Sequence, residues 1–544
     1  MRQKIVELLD GVIDVLNASD ISEFIEIPQK KELGDYAFPC FRLAKELHKA
    51  PQIIASDIAA SITRPFFLDK IEVQGAYVNF FTNKSVYART VISNSVEESY
   101  GSSDIGKGKV ICIDYSSPNV AKNFHVGHLR TTVIGNSLYK IYSKLGYKVE
   151  RINHLGDWGT QFGKLIVAYK NWGSEEAVRE KGIEELMRLY VLFHDEADKN
   201  PELQDEARSW FHKMETGDVE ALKIWKWFFD ISLDEFKRTY KLMGVEFDHY
   251  TGESFYRDKT QSVVEELTEK GLLSDSEGAK IVDLSEYDMA PCLILKNDGS
   301  SIYATRDIAA VEYRKKTYNF EKCLYVTGQE QKLHFAQVFK VMELLGNDWA
   351  KDSLIHIPYG LVSLAGEKLS TRGGNVIYAE DILNEAISKI KEIIEEKNPE
   401  LSDEEKQNAA RIVGVGAVIF NDLYNQRIKD VSFKWDKVLN FDGETGPYVQ
   451  YTYCRCASIL RNASYDENLQ IDCSQILDEP AITLLKEINR FPQVVKDAAE
   501  KYEPSVVARF SMDVAQSFSR FYNADKVLVD DEQLRNARLK LVSM

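Results

Sequence analysis

Residues 110–146 read VICIDYSSPNVAKNFHVGHLRTTVIGNSLYKIYSKLG, and this stretch decides the fold. Val110–Ile113 is a short apolar run typical of a buried strand, and a loop containing serine and proline follows it. From Leu129 onward apolar residues recur at helical spacing, and Gly146 favours a helix end. Because Tyr147–Ile152 is a second strand candidate, the stretch predicts a βαβ unit.

Two histidines three residues apart, His125 and His128, lie at the turn from the first strand to the helix. Phosphates bind well at the carboxyl end of a parallel strand followed by a helix, because free backbone amides and the helix dipole favour anions. Two imidazoles one turn apart add donors that can follow charge onto a phosphoryl oxygen. A lone histidine pair is more often structural, so further motifs have to support this phosphate site.

Composition fits a large intracellular enzyme. The 544 residues predict about three to four domains, and 44% hydrophobic residues are ample for several cores. No apolar run is long enough to span a bilayer. The interval Met1–Asp20 has the spacing of one amphipathic helix rather than a secretory signal.

Charge and cysteine content narrow the class of protein further. A net charge of −17 argues against a general nucleic-acid binder, so any RNA contact needs local basic patches. Seven scattered cysteines complete no zinc set, and they indicate reduced thiols in the cytoplasm.

The chain is predicted to be α/β, with a split Rossmann-like parallel sheet between an N-terminal α/β module and a C-terminal all-α helical bundle. The strand-like run Gly75–Phe81 ends the first module, and Gly101–Lys109 is the best linker. Ser402 and Glu405 form a capping box at the start of a long helical region. The predicted domains are 1–100, 101–380 with a helical insertion at about 167–275, and 381–544, the last shortened at its end. Later strand candidates are Lys280–Leu284, Cys292–Leu295, Cys323–Val326 and Ile355–Pro358.

Other clusters could carry chemistry. Gly366–Gly374 is a glycine-bounded cationic loop that could clamp a triphosphate, although such loops are mostly solvated turns. Lys122 adds a cation close to the histidines. Asp114 and Asp307 lie near strand ends, where they could pair with local arginines or recognise a cationic ligand.

A histidine pair after the first strand and a lysine–serine loop after the last one resemble the class I aminoacyl-tRNA synthetases. At finer grain the chain resembles the arginyl-tRNA synthetases over essentially its whole length. The motifs that carry this finer resemblance are Ser116–Arg130, Asn153–Gly163, Tyr303–Asp307 and Gly443–Tyr451.

The resemblance implies an arginine–tRNA ligase, which forms arginyl-adenylate and pyrophosphate and then transfers arginine to the 3′ end of tRNA specific for arginine. ATP with Mg²⁺ would be a substrate, and no tightly bound protein metal, no membrane contact and a monomer are expected. The implied catalytic residues are His125, His128, Lys122, Lys368 and Ser370. The implied arginine-binding residues are Asp114, Asn119, Tyr303, Asp307 and Gln331. The implied ATP-binding residues are His125, Gly127, His128, His334, Leu361, Val362 and Lys368. Asn79 would contact the tRNA elbow, and the implied anticodon residues are Tyr448, Tyr451 and Arg455.

Guanidinium suits such a pocket, because it is planar, permanently charged and matched to carboxylates in fixed geometry. A neutral amino acid would leave the carboxylates unpaired and partly desolvated, so discrimination is strong and no editing domain is expected.

Two departures from the family pattern are visible. Thr371 replaces the second lysine of the lysine–serine motif, and the resemblance implies that Lys122 supplies the missing cation. The chain ends at Met544, where the family usually runs on by another helical stretch.

Two other interpretations remain open on sequence alone. One is a different class I synthetase or a small nucleotidyltransferase, which amino-acid dependence would distinguish. The other is an inactive relative that holds tRNA without activating an amino acid, which ATP-dependent activation would exclude.

Overall fold

A computed structural model describes residues 1–297, 299–364, 367–368, 378–469 and 471–544, apart from the side chains of Lys31, Leu364, Glu367 and Lys368. The chain divides into two compact units, one made of 1–100, 451–492 and 513–544 and the other of 101–450 and 493–512. Among the described residues, no helix combines the length and apolar composition that crossing a bilayer requires.

The described strands are β1 (Tyr36–Pro39), β2 (Leu68–Gln74), β3 (Tyr77–Thr82), β4 (Val110–Asp114), β5 (Lys148–Asn153), β6 (His249–Tyr250), β7 (Leu273–Ser276), β8 (Ala279–Val282), β9 (Cys292–Leu295), β10 (Lys322–Gly328), β11 (Leu354–Tyr359), β12 (Val362–Leu364), β13 (Glu367–Lys368) and β14 (Val431–Phe433).

The described α-helices are α1 (Arg2–Asp10), α2 (Ala18–Phe24), α3 (Ala44–Leu47), α4 (Pro51–Ser61), α5 (Lys84–Ser95), α6 (Val126–Lys144), α7 (Thr160–Trp172), α8 (Glu175–Lys181), α9 (Ile183–Ala197), α10 (Glu202–Glu215), α11 (Val219–Met243), α12 (Glu253–Tyr256), α13 (Thr260–Glu269), α14 (Tyr303–Tyr318), α15 (Lys332–Leu344), α16 (Ala350–Ser353), α17 (Ala379–Lys397), α18 (Asp403–Tyr424), α19 (Trp435–Val438), α20 (Gly446–Asn462), α21 (Glu479–Asn489), α22 (Phe491–Glu500), α23 (Ser505–Ala524) and α24 (Glu532–Ser543).

The larger unit is built on a parallel sheet with the strand order β11-β10-β4-β5-β6. The chain leaves β4 toward β5 on one side, and the second half of the sheet, β10 and β11, lies on the other. The strand order therefore reverses between β4 and β10, and ligands bind at such a switch point, beyond the carboxyl ends of the strands. The predicted split Rossmann-like sheet is confirmed.

The predicted βαβ unit is present as β4, α6 and β5. Helix α6 begins at Val126, three residues before the first apolar position used to predict it, because His125 caps its N-terminus. Gly146 follows the helix with a φ of 84°, in the left-handed region that glycine tolerates. A side chain at this glycine would also lie 2.6 Å from the carbonyl oxygen of Ser103.

The interval between β5 and β6 contains the helices α7 to α11, whereas the range of about 167–275 expected for a helical insertion also includes the strands β6 and β7. A separate antiparallel sheet, β7-β8-β9, follows this interval. Two of the predicted strands, Lys280–Leu284 and Cys292–Leu295, therefore belong to this small sheet and not to the parallel one. Apolar side chains of both sheets, such as Cys112, Val282 and Ile294, share one buried core.

The smaller unit begins with an α/β module whose antiparallel sheet has the order β1-β3-β2. The single helix expected over Met1–Asp20 is wrong, because α1 ends at Asp10 and is followed by Gly11, and α2 begins only at Ala18. Asn17 starts the second helix by accepting a hydrogen bond from the Asp20 amide with its side chain.

From residue 379 onward the described residues form helices and one short strand, β14. The predicted capping box at the start of α18 is present, because Ser402 Oγ accepts from the Glu405 amide and Glu405 Oε2 accepts from the Ser402 amide. In the smaller unit, α5 packs with α21, α23 and α24 around buried residues such as Leu485 and Phe521. The domain boundaries expected from sequence stay predictions.

Candidate active site

His125 and His128, here called the histidine pair, form a reciprocal cap at the N-terminus of α6. The Gly127 amide donates to His125 Nδ1 at 3.1 Å, and the His125 amide donates to His128 Nδ1 at 3.2 Å. The two rings stack with their centres 3.7 Å apart. A Cβ at Gly127 would lie 2.9 Å from His125 Cε1, so glycine lets the ring fold back over the amide.

The protonation of the pair follows from these contacts. Burial lowers the pKa of His125, and the charge of Lys122 adds to this effect. Burial also lowers the pKa of His128 well below its usual value, with His125 and Lys122 contributing. Since each Nδ1 accepts a hydrogen bond, each neutral ring carries its proton on Nε2. The pair therefore offers two neutral N–H donors beside the positive end of a 19-residue helix.

The loop between β4 and α6 is held in an unusual conformation. Ser116, Ser117 and Ala121 have φ angles of 71°, 46° and 59°, which side-chain-bearing residues rarely adopt. Hydrogen bonds fix the loop, since Tyr240 is 2.7 Å from the Ser116 hydroxyl and Ser232 accepts from the Ala121 amide at 3.0 Å. Helix α11 thus holds the loop that precedes the histidine pair. Strained backbone of this kind persists where the surrounding structure fixes it, and it is common at functional sites.

A cavity of about 380 Å³ opens at the carboxyl ends of β4, β10 and β11. Its described lining contains seven residues expected from sequence to bind substrates: Asn119, His125, Gly127, His128, Gln331, Leu361 and Val362. The remaining lining comes from the same strand ends and from α6: Ser116, Ser117, Val126, Arg130, Thr131, Val326, Thr327, Gly328, Glu330, Tyr359 and Gly360. The cavity lies at the switch point of the sheet, where a nucleotide is expected.

Asp114 lies at the end of β4 and is already paired. Arg314 Nη2 donates to Asp114 Oδ2 at 2.7 Å, and the Ser117 hydroxyl donates to Asp114 Oδ1 at 2.9 Å. Both side chains of this pair are buried, with 1% of Arg314 and 8% of Asp114 exposed. Asp114 was expected to bind the substrate guanidinium, and in this structure an arginine of the protein holds it.

Asp307 lies on α14, one turn after Tyr303 and two turns before Arg314. Its Oδ2 is 2.6 Å from His334 Nε2, and its Oδ1 is 4.0 Å from His154 Nε2. Burial alone would raise the pKa of Asp307, but the hydrogen bond and charge of His334 lower it overall, so the carboxylate is ionised. Tyr303 is 61% exposed, with the Arg306 guanidinium 5.0 Å from its ring centre.

Arg314 and His154 link the two carboxylates. His154 Nδ1 lies 3.2 Å from Arg314 Nη2, so Asp114, Arg314 and His154 are joined by close contacts, and the partly buried His154 and Asp307 are 4.0 Å apart. The prediction from sequence missed Arg314, although its position seven residues after Asp307 on a helix places both on one face. It also missed Glu253, whose Oε2 is 3.7 Å from Arg306 Nη2 and whose pKa burial raises to about 8.

Arg130 ties α6 to the opposite wall of the cavity. Its fully buried guanidinium donates to the carbonyl oxygens of Leu361, Arg427 and Lys429 at 2.9–3.2 Å. Its Nε lies 3.4 Å from Asp422, whose pKa burial raises to about 6 despite the nearby guanidinium. The backbone expected to line adenosine is thus fixed relative to the histidine pair.

The lysine–serine loop lies mostly outside the described residues. The backbone of Lys368 belongs to β13, while its side chain and the whole of Ser370 are not described. The described chain resumes beside the histidine pair. Tyr378 forms an isolated antiparallel β-bridge with His125, and the Ala379 amide donates to the carbonyl oxygen of Phe124. Lys122 is close by, with Nζ 5.7 Å from the Tyr190 ring centre.

The residues expected to contact tRNA have contrasting surroundings. Asn79 lies in β3, only 2% exposed, beside a cavity of about 350 Å³ that Gln74 and Tyr77 also line. Arg455 Nη2 donates to the Tyr451 hydroxyl at 3.1 Å, and Tyr451 is 50% exposed on α20. Tyr448 belongs to the first turn of the same helix.

Three family models match successive parts of the chain. Residues 1–82 match an arginyl tRNA synthetase N terminal domain, 90–435 the class I (R) tRNA synthetase catalytic domain, and 449–544 the DALR anticodon binding domain.

Individual proteins match over nearly the whole chain. Arginine–tRNA ligase of Alkaliphilus metalliredigens is 54% identical over 99% of this chain and 95% of its own length. That of Clostridioides difficile is 54% identical over 97% and 94%. The solved structure of Thermus thermophilus arginyl-tRNA synthetase superposes with a TM-score of 0.82 at 25% identity, covering 100% of this chain and 96% of that one.

Proposed function

The chain belongs to the class I tRNA synthetases of the arginine type, and we propose that its histidine pair activates arginine with ATP before the amino acid is joined to tRNA. ATP, arginine and tRNA are the substrates of this ligation. The observation that carries the proposal is the pair of Nε2–H donors at the N-terminus of α6, beside the cavity at the switch point.

In the first step the arginine carboxylate attacks the α-phosphorus of ATP. A bond forms between a carboxylate oxygen and phosphorus, the bond from phosphorus to the bridging oxygen breaks, and pyrophosphate leaves. Negative charge grows on the non-bridging oxygens, and donors aimed at those oxygens stabilise the transition state more than the ground state. The histidine pair fits this role because it binds an oxyanion without giving up a proton.

The remaining residues receive roles within the same proposal. Lys122, Lys368 and Ser370 contact the phosphates of ATP, which enters with Mg²⁺ as part of the substrate. Leu361 and Val362 line the adenosine. His334, which contacts Asp307, is proposed to contact the same nucleoside.

Arginine binds on the side of Asp307 and Tyr303, with Asn119 and Gln331 at its α-amino group. Asp307 Oδ1 is the oxygen aimed at the guanidinium, since His334 occupies Oδ2. Asp114 acts through Arg314 and not on the substrate directly.

Transfer to tRNA completes the reaction. Asn79 is proposed to contact the elbow of the tRNA, and Tyr448, Tyr451 and Arg455 the anticodon, where stacking rings and a guanidinium suit unpaired bases. We expect a monomer in the cytoplasm without an editing activity. The free state of all seven cysteines, each of which the structure describes, agrees with a reducing compartment.

Exchange of radioactive pyrophosphate into ATP tests the proposal. The assay uses arginine, lysine, glutamine or glutamate, each with and without tRNA specific for arginine. Exchange with arginine and with no other amino acid supports it. Exchange with lysine, or no exchange by a chain that still binds tRNA, contradicts it.

A further inference from the structure

Beside Lys122 lie two basic side chains that no step described so far uses. Lys164 comes from α7 and His194 from α9. Lys164 Nζ is 5.9 Å from the ring centre of Phe193, and the His194 ring centre is 4.8 Å from that of Tyr190. Since Lys122 Nζ lies over the same Tyr190 ring, α9 gathers the three basic groups, here called the basic cluster.

The two ammonium groups of the basic cluster lack compensating charge. Among the described residues, no carboxylate forms an ion pair with Lys122 or Lys164, and the two ammonium groups lie over aromatic rings. Burial lowers the pKa of Lys164. Burial and then Lys164 lower the pKa of His194, with a further contribution from Lys122, while Asp195 and Asp198 oppose them. Partly desolvated cations without counterions attract an anion more strongly than solvated ones.

Lys122 connects the basic cluster to the histidine pair. Lys122 precedes His125 by three residues in the loop before α6, and its Nζ lies 5.7 Å from the centre of the Tyr190 ring, against which His194 packs. Its charge also lowers the pKa of both members of the histidine pair and of His194. The basic groups therefore continue from the proposed α-phosphate position toward α7 and α9. A chain of phosphates leaving the α-phosphate in this direction would meet Lys122 first and the other two afterwards.

We propose that Lys164 and His194 complete, with Lys122, a binding site for the β- and γ-phosphates of ATP and for the pyrophosphate that leaves. This inference rests on the proposed function, and it adds the helical insertion to the groups that bind the nucleotide. Two ammonium groups and a neutral imidazole N–H match a polyanion that carries several negative charges. The aromatic rings of α9 hold the lysine stems while the charged ends stay available.

The test uses the full chain and the variants Lys164→Met, Lys164→Arg and His194→Gln. Methionine keeps much of the unbranched stem beside Phe193 and removes the charge, whereas arginine keeps the charge. Lys170→Gln is the matched control, because Lys170 lies on the same helix and its ammonium is paired with Glu220 at 2.5 Å. Thermal melting of each variant checks that it is folded.

Pyrophosphate exchange with arginine and tRNA gives the first readout. Lys164→Met is expected to raise the KM for pyrophosphate about tenfold, since a hydrogen bond between charged groups is lost. The KM for ATP rises with it, and those for arginine and tRNA stay unchanged. Lys164→Arg restores most of the affinity, His194→Gln causes a smaller rise of about threefold, and Lys170→Gln behaves as wild type.

Calorimetric titration of inorganic pyrophosphate into the same proteins gives a readout that needs no reaction. Weaker binding of pyrophosphate by Lys164→Met than by wild type and Lys170→Gln supports the site even if the exchange assay fails. A failure of the site can therefore be distinguished from a failure of the proposed function. An unchanged KM and unchanged binding for pyrophosphate overturn the proposal. A rise confined to the KM for tRNA also overturns it, because the basic cluster would then contact tRNA phosphates. If Lys164→Met does not fold, His194→Gln decides by the same criteria.

Discussion

The phosphate side and the arginine side of the site deal with charge in opposite ways. On the proposed phosphate side the histidine pair is neutral, its Nδ1 atoms are occupied, and both rings line the cavity. On the arginine side the charged groups are already paired, Asp114 with Arg314 and Asp307 with His334. A bound phosphate therefore brings negative charge to the neutral donors of the histidine pair. A bound guanidinium, by contrast, has to share a carboxylate that already has a partner in the protein.

This difference in pairing distinguishes Asp114 from Asp307, two carboxylates that look equivalent in the sequence. Both oxygens of Asp114 accept hydrogen bonds from protein groups. Asp307 uses Oδ2 for His334 and keeps Oδ1 at 4.0 Å from His154, beyond hydrogen-bond distance. A guanidinium can therefore bind Asp307 without breaking a contact, while binding Asp114 would expose the buried Arg314 charge. Specificity for arginine is expected to reside in Asp307, and stability of the pocket in Asp114.

Asp114→Asn is expected to have the largest effect, and that effect is on folding. It leaves Arg314 buried without its counterion, while Nε and Nη1 of that guanidinium already have no described partner. Breaking a buried pair on one side costs about 3–5 kcal/mol. Urea denaturation measures the loss, with Asp205→Asn, whose side chain is 74% exposed, as the control. A stable variant with a raised KM for arginine would instead make Asp114 the substrate ligand.

Replacing either member of the histidine pair tests the phosphate side. His128→Ala is expected to lower kcat for pyrophosphate exchange about 10²- to 10³-fold, the usual result of removing one donor to a developing oxyanion. The KM for arginine should not change, since the ring does not contact that side. The exposed His212 supplies the control variant His212→Ala. An unchanged kcat in His128→Ala would mean that the histidine pair only caps α6 and does not stabilise the transition state.

Asp307→Asn tests the arginine side directly. Its ionised carboxylate becomes a neutral amide of the same shape, so a charge-assisted hydrogen bond to the guanidinium is lost. The KM for arginine is expected to rise about 10- to 100-fold, with the KM for ATP unchanged. Steady-state exchange at varied arginine and varied ATP separates the two constants. If arginine activation is unaffected, the guanidinium binds elsewhere.

The smallest expected effect concerns pH. Burial raises the pKa of Glu253 to about 8, so the folded chain holds this proton more tightly than the unfolded chain. Stability from this group is therefore present below the ordinary glutamate pKa and is lost as pH rises toward 8. Between pH 6 and pH 7 the expected loss is about 1 kcal/mol.

Glu253→Gln should remove this contribution. The free energy of unfolding, measured by urea denaturation at both pH values, is then expected to fall less for the variant than for wild type. Equal slopes for the two proteins would mean that Glu253 is ionised in the folded chain.

The sequence predicted the βαβ unit that carries the histidine pair well, because the signals of this unit are local. A buried strand, a helical period and a glycine stop define the βαβ unit within 37 residues, and the histidines mark the helix N-terminus inside it. The capping box at Ser402 was predictable for the same reason. The broken N-terminal helix was also a local event, and Gly11 and Asn17 were its visible signals.

The arginine side could not be predicted in the same way. Asp114 and Arg314 are 200 residues apart in the sequence, and only the sheet brings them together. The family resemblance implied that Asp114 binds the substrate, but it did not point to Arg314, which pairs with this carboxylate. The basic cluster could not be predicted for the same reason, since Lys164 and His194 come from separate helices of the insertion that pack together.

A crystal structure with arginine and a non-hydrolysable ATP analogue tests the division between the two sides most directly. We predict the guanidinium within hydrogen-bond distance of Asp307 Oδ1, with Arg314 still on Asp114. The α-phosphate is predicted to accept from Nε2 of both members of the histidine pair. A guanidinium bound to Asp114 with Arg314 displaced, or phosphates remote from the histidine pair, would contradict this account.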